Sequence, residues 1–391
     1  MSPPIRRAAL AAAVALLLVT AGCSGGTTTT STATTTSATN GTTTATTTTT
    51  ATGTWSPNAS AEQYPPGVAA NGTLANVTAL LDAHFAGTAN RSIAFTQRWA
   101  NANESVVRRY AHGASATPYY STYERTTDGE QYSAAFYGTN SRGYARATVD
   151  GETQYAVTQN ASPNTRAWTN EPLSGPRLAL GTTLTAGNYS VNGTVERGGR
   201  TFVQLSADGV SPDRSRLYDS YEGTVLVTPD GVVHDVEDSF VVTEDGTKKQ
   251  TKSSMTLDTD TEFSGPSAWV SEIPQLSLSI VEDGHALELR NTGGTALPAN
   301  VTFHVSASNE RVWGPTPGTT AGDAGGTVTT ETTLEPGDAV YVTADADGDA
   351  SFTLHEESTR GDYDFGYAGL HGGTEHAAYR LVTGIKTSQT G

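Results

Sequence analysis

Two hydrophobic periods divide the chain. Leu276, Leu278 and Ile280 alternate with Gln275, Ser277 and Ser279, and Asp283-Gly284 then turns the chain. Leu287 and Leu289 alternate with Ala286, Glu288 and Arg290 before a second turn at Asn291-Thr292-Gly293-Gly294. Val301, Phe303 and Val305 follow the same period, and apolar runs recur at Ala339 to Thr343 and Ser351 to His355. Alternation of period two puts every second side chain on one face, so turns at this spacing predict an antiparallel β-sandwich.

Upstream, Leu74, Val77, Leu81 and Phe85 recur at helical spacing, which predicts an amphipathic helix over Thr73 to Ala86 with Gly87 as its stop. The chain then reads as strands. Asp128-Gly129, Asp150-Gly151, Gly198-Gly199, Asp208-Gly209, Asp230-Gly231 and Asp245-Gly246 are tight-turn dipeptides between Tyr-, Val- and Thr-rich runs. Those runs include Gln131 to Tyr137, Gly143 to Val149, Thr153 to Thr158, Thr201 to Leu205, Gly223 to Thr228 and Ser239 to Thr243. Leu178 to Leu184 reads as a short second helix interrupting them. The expected fold class is α+β, mainly antiparallel β: a curved half-barrel sheet with a packed helix, followed by a β-sandwich.

The first 23 residues follow another pattern. Arg6 and Arg7 precede twelve apolar residues, Ala8 to Val19, and then Thr20, Ala21, Gly22 and Cys23. A run of that length is too short to span about 30 Å of hydrocarbon and suits a signal-peptide core. Small residues before the single cysteine of the chain have the form of a lipobox, with Thr20 where Leu is commoner, so Cys23 is the expected lipidation site. Adjacent Arg6 and Arg7 fit a twin-arginine export signal in part, because no Phe-Leu-Lys follows; general secretory export is the alternative. Two acyl chains on Cys23 would anchor the chain stably, at about 0.8 kcal/mol for each buried CH2.

Thr fills 19 of the 28 positions from Thr27 to Thr54. Such a run has no apolar face to offset its ordering entropy, so it is expected to be a disordered stalk. Asn-x-Ser/Thr triplets stand at Asn40, Asn58, Asn71, Asn76, Asn90, Asn103, Asn160, Asn188, Asn192 and Asn300. On an exported chain these are glycosylation candidates.

Composition narrows the reading further. The 391 residues carry 40 acidic and 23 Lys plus Arg side chains, a net charge of -17, and only four lysines, Lys248, Lys249, Lys252 and Lys386. That balance excludes a generic nucleic-acid binder, which needs clustered cations against phosphate. One Cys excludes a disulfide framework and a Cys-rich metal site. Spread-out carboxylates hold water and cations, as on a protein that works in brine.

The lipobox, the Thr-rich stalk, Tyr64-Pro65-Pro66-Gly67, the helix ending Leu81-Asp82-Ala83-His84-Phe85 and the hairpin Val225-Leu226-Val227-Thr228-Pro229-Asp230-Gly231 together resemble uncharacterised surface lipoproteins of halophilic archaea. Their first domain is similar to LolA/LppX-type lipoprotein carriers, in which a half-barrel closed on one side by helices can hold an acyl chain. The stretch Leu287-Glu288-Leu289-Arg290-Asn291-Thr292-Gly293-Gly294 followed by Leu334-Glu335-Pro336-Gly337-Asp338 resembles immunoglobulin-like modules of archaeal surface proteins. The expected organisation is a signal peptide and lipobox at 1–23, a stalk at 24–62, a LolA/LppX-like domain at 63–269, an immunoglobulin-like sandwich at 270–370 and a C-terminal tail at 371–391.

No catalytic signature stands out. There is no G-x-S-x-G elbow, P-loop, G-x-G-x-x-G or H-E-x-x-H. Asp345 to Asp349 has calcium-loop character, but aligning Gly348 with the loop glycine puts Thr343 and Leu354 where acids belong, so an acidic turn is expected. His371 and His376 are five apart, off one helical face, His304 falls on the polar face of its strand, and His84 and His112 stand alone. No catalytic residue, metal or cofactor is therefore expected. Phe95, Trp99, Tyr119, Tyr120, Phe136, Tyr144 and Trp168 are expected in the core rather than lining a cavity.

The leading expectation is a lipid-anchored protein on the extracellular face of the cell membrane that binds or carries a hydrophobic ligand. Its partners would be the membrane, through Cys23, and that ligand. The alternative is a non-enzymatic structural or adhesive envelope protein with no bound ligand. The two differ in the interior of the first domain: a continuous apolar cavity of at least several hundred Å3 favours the carrier, and a filled core favours the scaffold.

Overall fold

Aspartate and glycine at hairpin tips decide most of the local geometry. Asp128 and Gly129, Asp150 and Gly151, and Asp245 and Gly246 all adopt positive φ, as two-residue turns between twisted strands require. A computed structural model describes residues 64–115, 117–159, 171–263, 265, 268–309, 324–345 and 351–384, with the backbone alone at 171–176. Cys23, Arg6, Arg7, Asn40, Asn58, Asn160, Trp168 and most of the acidic turn after Asp345 lie outside the described residues.

Helix α1 spans Val77–Thr88. It begins later than the apolar spacing suggests because Asn76 caps it, its side chain accepting from the Ala79 amide at 3.1 Å. Leu74, expected in the helix, instead bridges to Val68. The buried stripe is Leu80, His84 and Thr88, with Val77 and Leu81 half-buried beside it. Gly87 does not stop the helix. A Cβ there would meet Val232 Cγ2 at 2.5 Å, so the glycine lets α1 lie close on the following strand loop.

Six strands follow: β1 (Ile93–Ala100), β2 (Glu104–His112), β3 (Tyr119–Thr127), β4 (Glu130–Gly138), β5 (Arg142–Val149) and β6 (Glu152–Gln159). The expected short helix is longer than Leu178 to Leu184, running as α2 over Glu171–Ala186. The strands β7 (Ser190–Arg197), β8 (Arg200–Ala207), β9 (Ser220–Val227), β10 (Val233–Glu244) and β11 (Thr247–Thr259) complete this half. Asp208-Gly209 is not a hairpin tip; the chain makes a 3-10 turn at Pro212–Arg214 before β9.

The C-terminal half contributes β12 (Leu276–Val281), β13 (Ala286–Asn291), β14 (Thr302–Ser308), β15 (Ala324–Thr329), β16 (Ala339–Ala344), β17 (Phe352–His355), β18 (Tyr367–Gly373) and β19 (Ala377–Gly384). The segment expected as a C-terminal tail therefore holds the end of β18 and all of β19. Gly372 and Gly373 are strand residues in close contact: a Cβ on Gly372 would meet the Thr302 carbonyl oxygen at 2.4 Å.

Fifteen strands form one sheet in the order β15-β14-β18-β19-β6-β5-β4-β3-β2-β1-β11-β10-β9-β8-β7, and the other four form a sheet β12-β13-β16-β17. The join is between β19 and β6, which pair in parallel while the other ladders are antiparallel. The smaller layers sit on opposite faces of the long sheet. Leu80, Leu184 and Ala186 of the helices pack on Phe95, Met255, Leu257, Val236 and Val225. On the other face, Ala135, Tyr137, Tyr144 and Val157 join the core made by Leu276, Leu287, Phe303, Val342 and Leu381. The first half is thus an α+β curved sheet with two packed helices. The second is a β-sandwich whose larger layer continues that sheet.

Candidate functional site: the interior beneath the helices

The space between the two helices and the long sheet is where an acyl chain would have to lie. It is filled. Val203, Leu205, Val225 and Val227 are fully buried, as are Leu80 from α1 and Leu184 from α2. They belong to one buried apolar cluster that ties the helices to the sheet.

Polar groups in this interior bind one another. Tyr189 and Tyr221 hydroxyls lie 2.8 Å apart, and Tyr221 is 3.1 Å from Asp238 Oδ2 and 3.2 Å from the Thr183 carbonyl. Gly223 makes space for this, since a Cβ there would meet the Tyr189 hydroxyl at 2.4 Å. Burial pushes both tyrosine hydroxyls well above their ordinary range. Burial also raises Asp238, against the opposing pull of Ser253, Tyr221 and Thr183, and its Oδ1 has no hydrogen-bond partner among the described residues. His84 accepts the Val233 amide on Nδ1 at 3.1 Å, which fixes a neutral imidazole with that nitrogen unprotonated. Burial, helped by nearby His234, lowers its pKa to about 4. These are connections that hold elements together, and Asp238 also lines an open depression of the sheet.

Two open depressions lie along the sheet. Arg98, Ser254 and Glu237 stand side by side across β1, β11 and β10 and alternate with the helix-facing Met255 and Val236. The depression they help line has a volume of about 590 Å3, and Trp99, Val106, Gly223, Asp238 and Lys252 line it too. A second, of about 560 Å3, is lined by Phe202, Leu226, Arg200, Asp235 and Asp258 among others. Arg98, Glu222, Glu237 and Lys252 bring charge to the first, beside apolar Trp99, Val106 and Val107, and Arg197, Arg200, Asp235 and Asp258 bring it to the second.

The sequence-derived candidates fall apart spatially. Among the described sequons, Asn71, Asn76, Asn90, Asn103, Asn188, Asn192 and Asn300 are all exposed. Asn76 also caps α1, and Asn192 Nδ2 donates to Ser206 Oγ at 3.3 Å. Of the aromatics expected in the core, Phe95, Tyr119, Phe136 and Tyr144 are buried, whereas Trp99 and Tyr120 are only partly so. His355 is paired with Thr343 across β16 and β17. Among the described residues no group of three or more His, Cys, Asp or Glu could hold a metal ion. No helix among them is long and apolar enough to cross a membrane. The buried Tyr-Tyr-Asp cluster was missed in the sequence because its members lie on three separate segments. Only the alternation in β9 and β10 marks Tyr221 and Asp238 as inward-facing.

No protein-family model and no curated protein sequence matches the chain. Among solved structures it is similar to a crystal structure of MucB in complex with MucA(peri), at 13% identity over 75% of this chain and 79% of that one, with a TM-score of 0.21. It is also similar to a complex structure of Pseudomonas aeruginosa MucA/MucB, at 12% identity over 70% of this chain and 90% of that one, again with a TM-score of 0.21. Likenesses at that TM-score establish neither a shared fold nor a shared role.

Proposed function

We propose that the chain is a non-catalytic structural or adhesive protein of the cell envelope, held at the outer surface by lipid on Cys23 and lifted from it by the Thr-rich stalk. The observation that carries this reading is the buried apolar cluster between the helices and the sheet. A carrier needs an apolar chamber there, and the side chains of Leu80, Leu184, Leu205 and Val227 occupy it. The acidic, exposed remainder supports display in a salt-rich medium, where carboxylates keep a surface hydrated. One continuous sheet through both halves supports a rigid spacer rather than a hinged ligand trap.

The test is a strain lacking the protein, complemented with the wild-type chain or with Cys23→Ser. Loss of cell-to-cell or surface attachment, restored by wild type and not by Cys23→Ser, supports the reading. Unchanged attachment together with accumulation of a lipid at one membrane would replace it with the carrier.

A further inference from the structure

The polar face of the sandwich's larger layer brings together two histidines that lie 67 residues apart in sequence. His304 on β14 stands directly opposite His371 on β18, and their rings stack with centroids 4.9 Å apart and an interplanar angle of 17°. Both side chains are exposed. Neither imidazole makes a hydrogen bond among the described residues, unlike His84, His112, His234 and His355. Their same-face neighbours are small: Thr302 and Ser306 along β14, and Gly369 and Gly373 along β18. Thr327 on β15 flanks one side and Arg380 on β19 the other.

We propose that His304 and His371 form a two-imidazole site for a borderline divalent transition-metal ion, binding Cu2+ more tightly than Zn2+. Imidazole nitrogen is a preferred ligand for both ions, and the Irving–Williams order ranks copper first. An imidazole nitrogen sits about 2.0–2.1 Å from zinc, so two adjacent ligating rings hold their centroids roughly 5 Å apart. The pair already has that separation; rotation of the rings about their Cβ–Cγ bonds turns their nitrogens toward one point. Small neighbours leave the remaining coordination positions to water or another exogenous ligand.

Protonation competes with the metal. Burial, the neighbouring His304 and Arg380 all lower the pKa of His371, which favours the neutral, ligating form near pH 7. Arg380 also repels a dication, and it is the charged side chain directly opposite the pair. The site therefore links β14 to β18, and its affinity is set against one fixed positive charge.

Cu2+ alone is the probe, titrated into the untagged full chain in a non-chelating buffer at pH 7.5. Electron paramagnetic resonance should show one saturable equivalent with nitrogen coupling from two imidazoles. His304→Ala and His371→Ala should each weaken binding at least tenfold, His376→Ala should leave it unchanged, and Arg380→Gln should tighten it. Circular dichroism verifies that each variant is folded, and the nitrogen coupling in the wild type reads the ligands without any variant. Absence of a saturable equivalent, coupling to fewer than two imidazoles, or binding that survives both single substitutions overturns the proposal.

Discussion

Tyr379 stands opposite Val157 in the parallel pairing of β19 with β6. Both side chains are buried in the sandwich core, Val157 completely. The last described strand is thus the seam through which a C-terminal layer continues an N-terminal sheet.

Deletion of residues 374–391 removes that seam. It exposes the edge of β6 and uncovers Val157, Tyr144 and Leu370, so both halves should lose stability together. Calorimetry should show one cooperative transition in the full chain and a transition at markedly lower temperature in the truncated one. An unchanged transition would show that β19 does not couple the halves.

The filled interior has a direct energetic test. Leu205 is fully buried beneath the helices. Leu205→Ala should cost about 2–5 kcal/mol, as truncation in a close-packed core does. Urea unfolding measures this. A cost below about 1 kcal/mol would mean that Leu205 borders open space, as in a carrier.

His84 should make the first half acid-sensitive. Its folded pKa of about 4 lies below the ordinary value of 6.5, so between these values the unfolded chain binds the extra proton. Its contribution is complete above about pH 6.5 and is lost as pH falls to about 4, a difference of about 3 kcal/mol. The stability of wild type relative to His84→Gln, followed by urea unfolding over that range, should fall with acidification. A pH-independent difference would contradict the buried, neutral imidazole.

Asp238 has the opposite sign. Its folded pKa is raised, mainly by burial, so the folded chain binds the extra proton in the window above the ordinary carboxylate range. Stability is lost as pH rises through that window. Asp238→Asn should therefore match or exceed the wild type at pH 7 and remove this dependence. Tyr221→Phe, which takes the donor away from Asp238 Oδ2, should destabilise by about 1–3 kcal/mol. A large loss in Asp238→Asn at pH 7 would mean that the carboxylate is a net stabiliser.

The strands bounded by Asp-Gly tips were legible because the dipeptide and the alternation agree, as at Asp150-Gly151 between β5 and β6. The early sandwich strands were legible for the same reason. What was not legible rests on contacts distant in sequence. Gly372 and Gly373 read as part of a C-terminal tail, yet both lie in the ladder of β18, where the neighbouring backbone approaches closely. Gly87 read as a helix stop until Val232 explained it. His304 read as merely exposed, and His371 was weighed against His376, its neighbour in sequence, whereas its structural neighbour lies across a strand pair. The boundary between the halves was hidden for the same reason: no local pattern reveals that β19 returns to β6.

Mass spectrometry of the protein purified from its own membranes, with organic extraction of any bound lipid, tests the central claim most directly. A mature chain beginning at an acylated Cys23, with no lipid released in stoichiometric amount, is the expected result. Recovery of about one non-covalent lipid per chain would contradict the filled interior and restore the carrier.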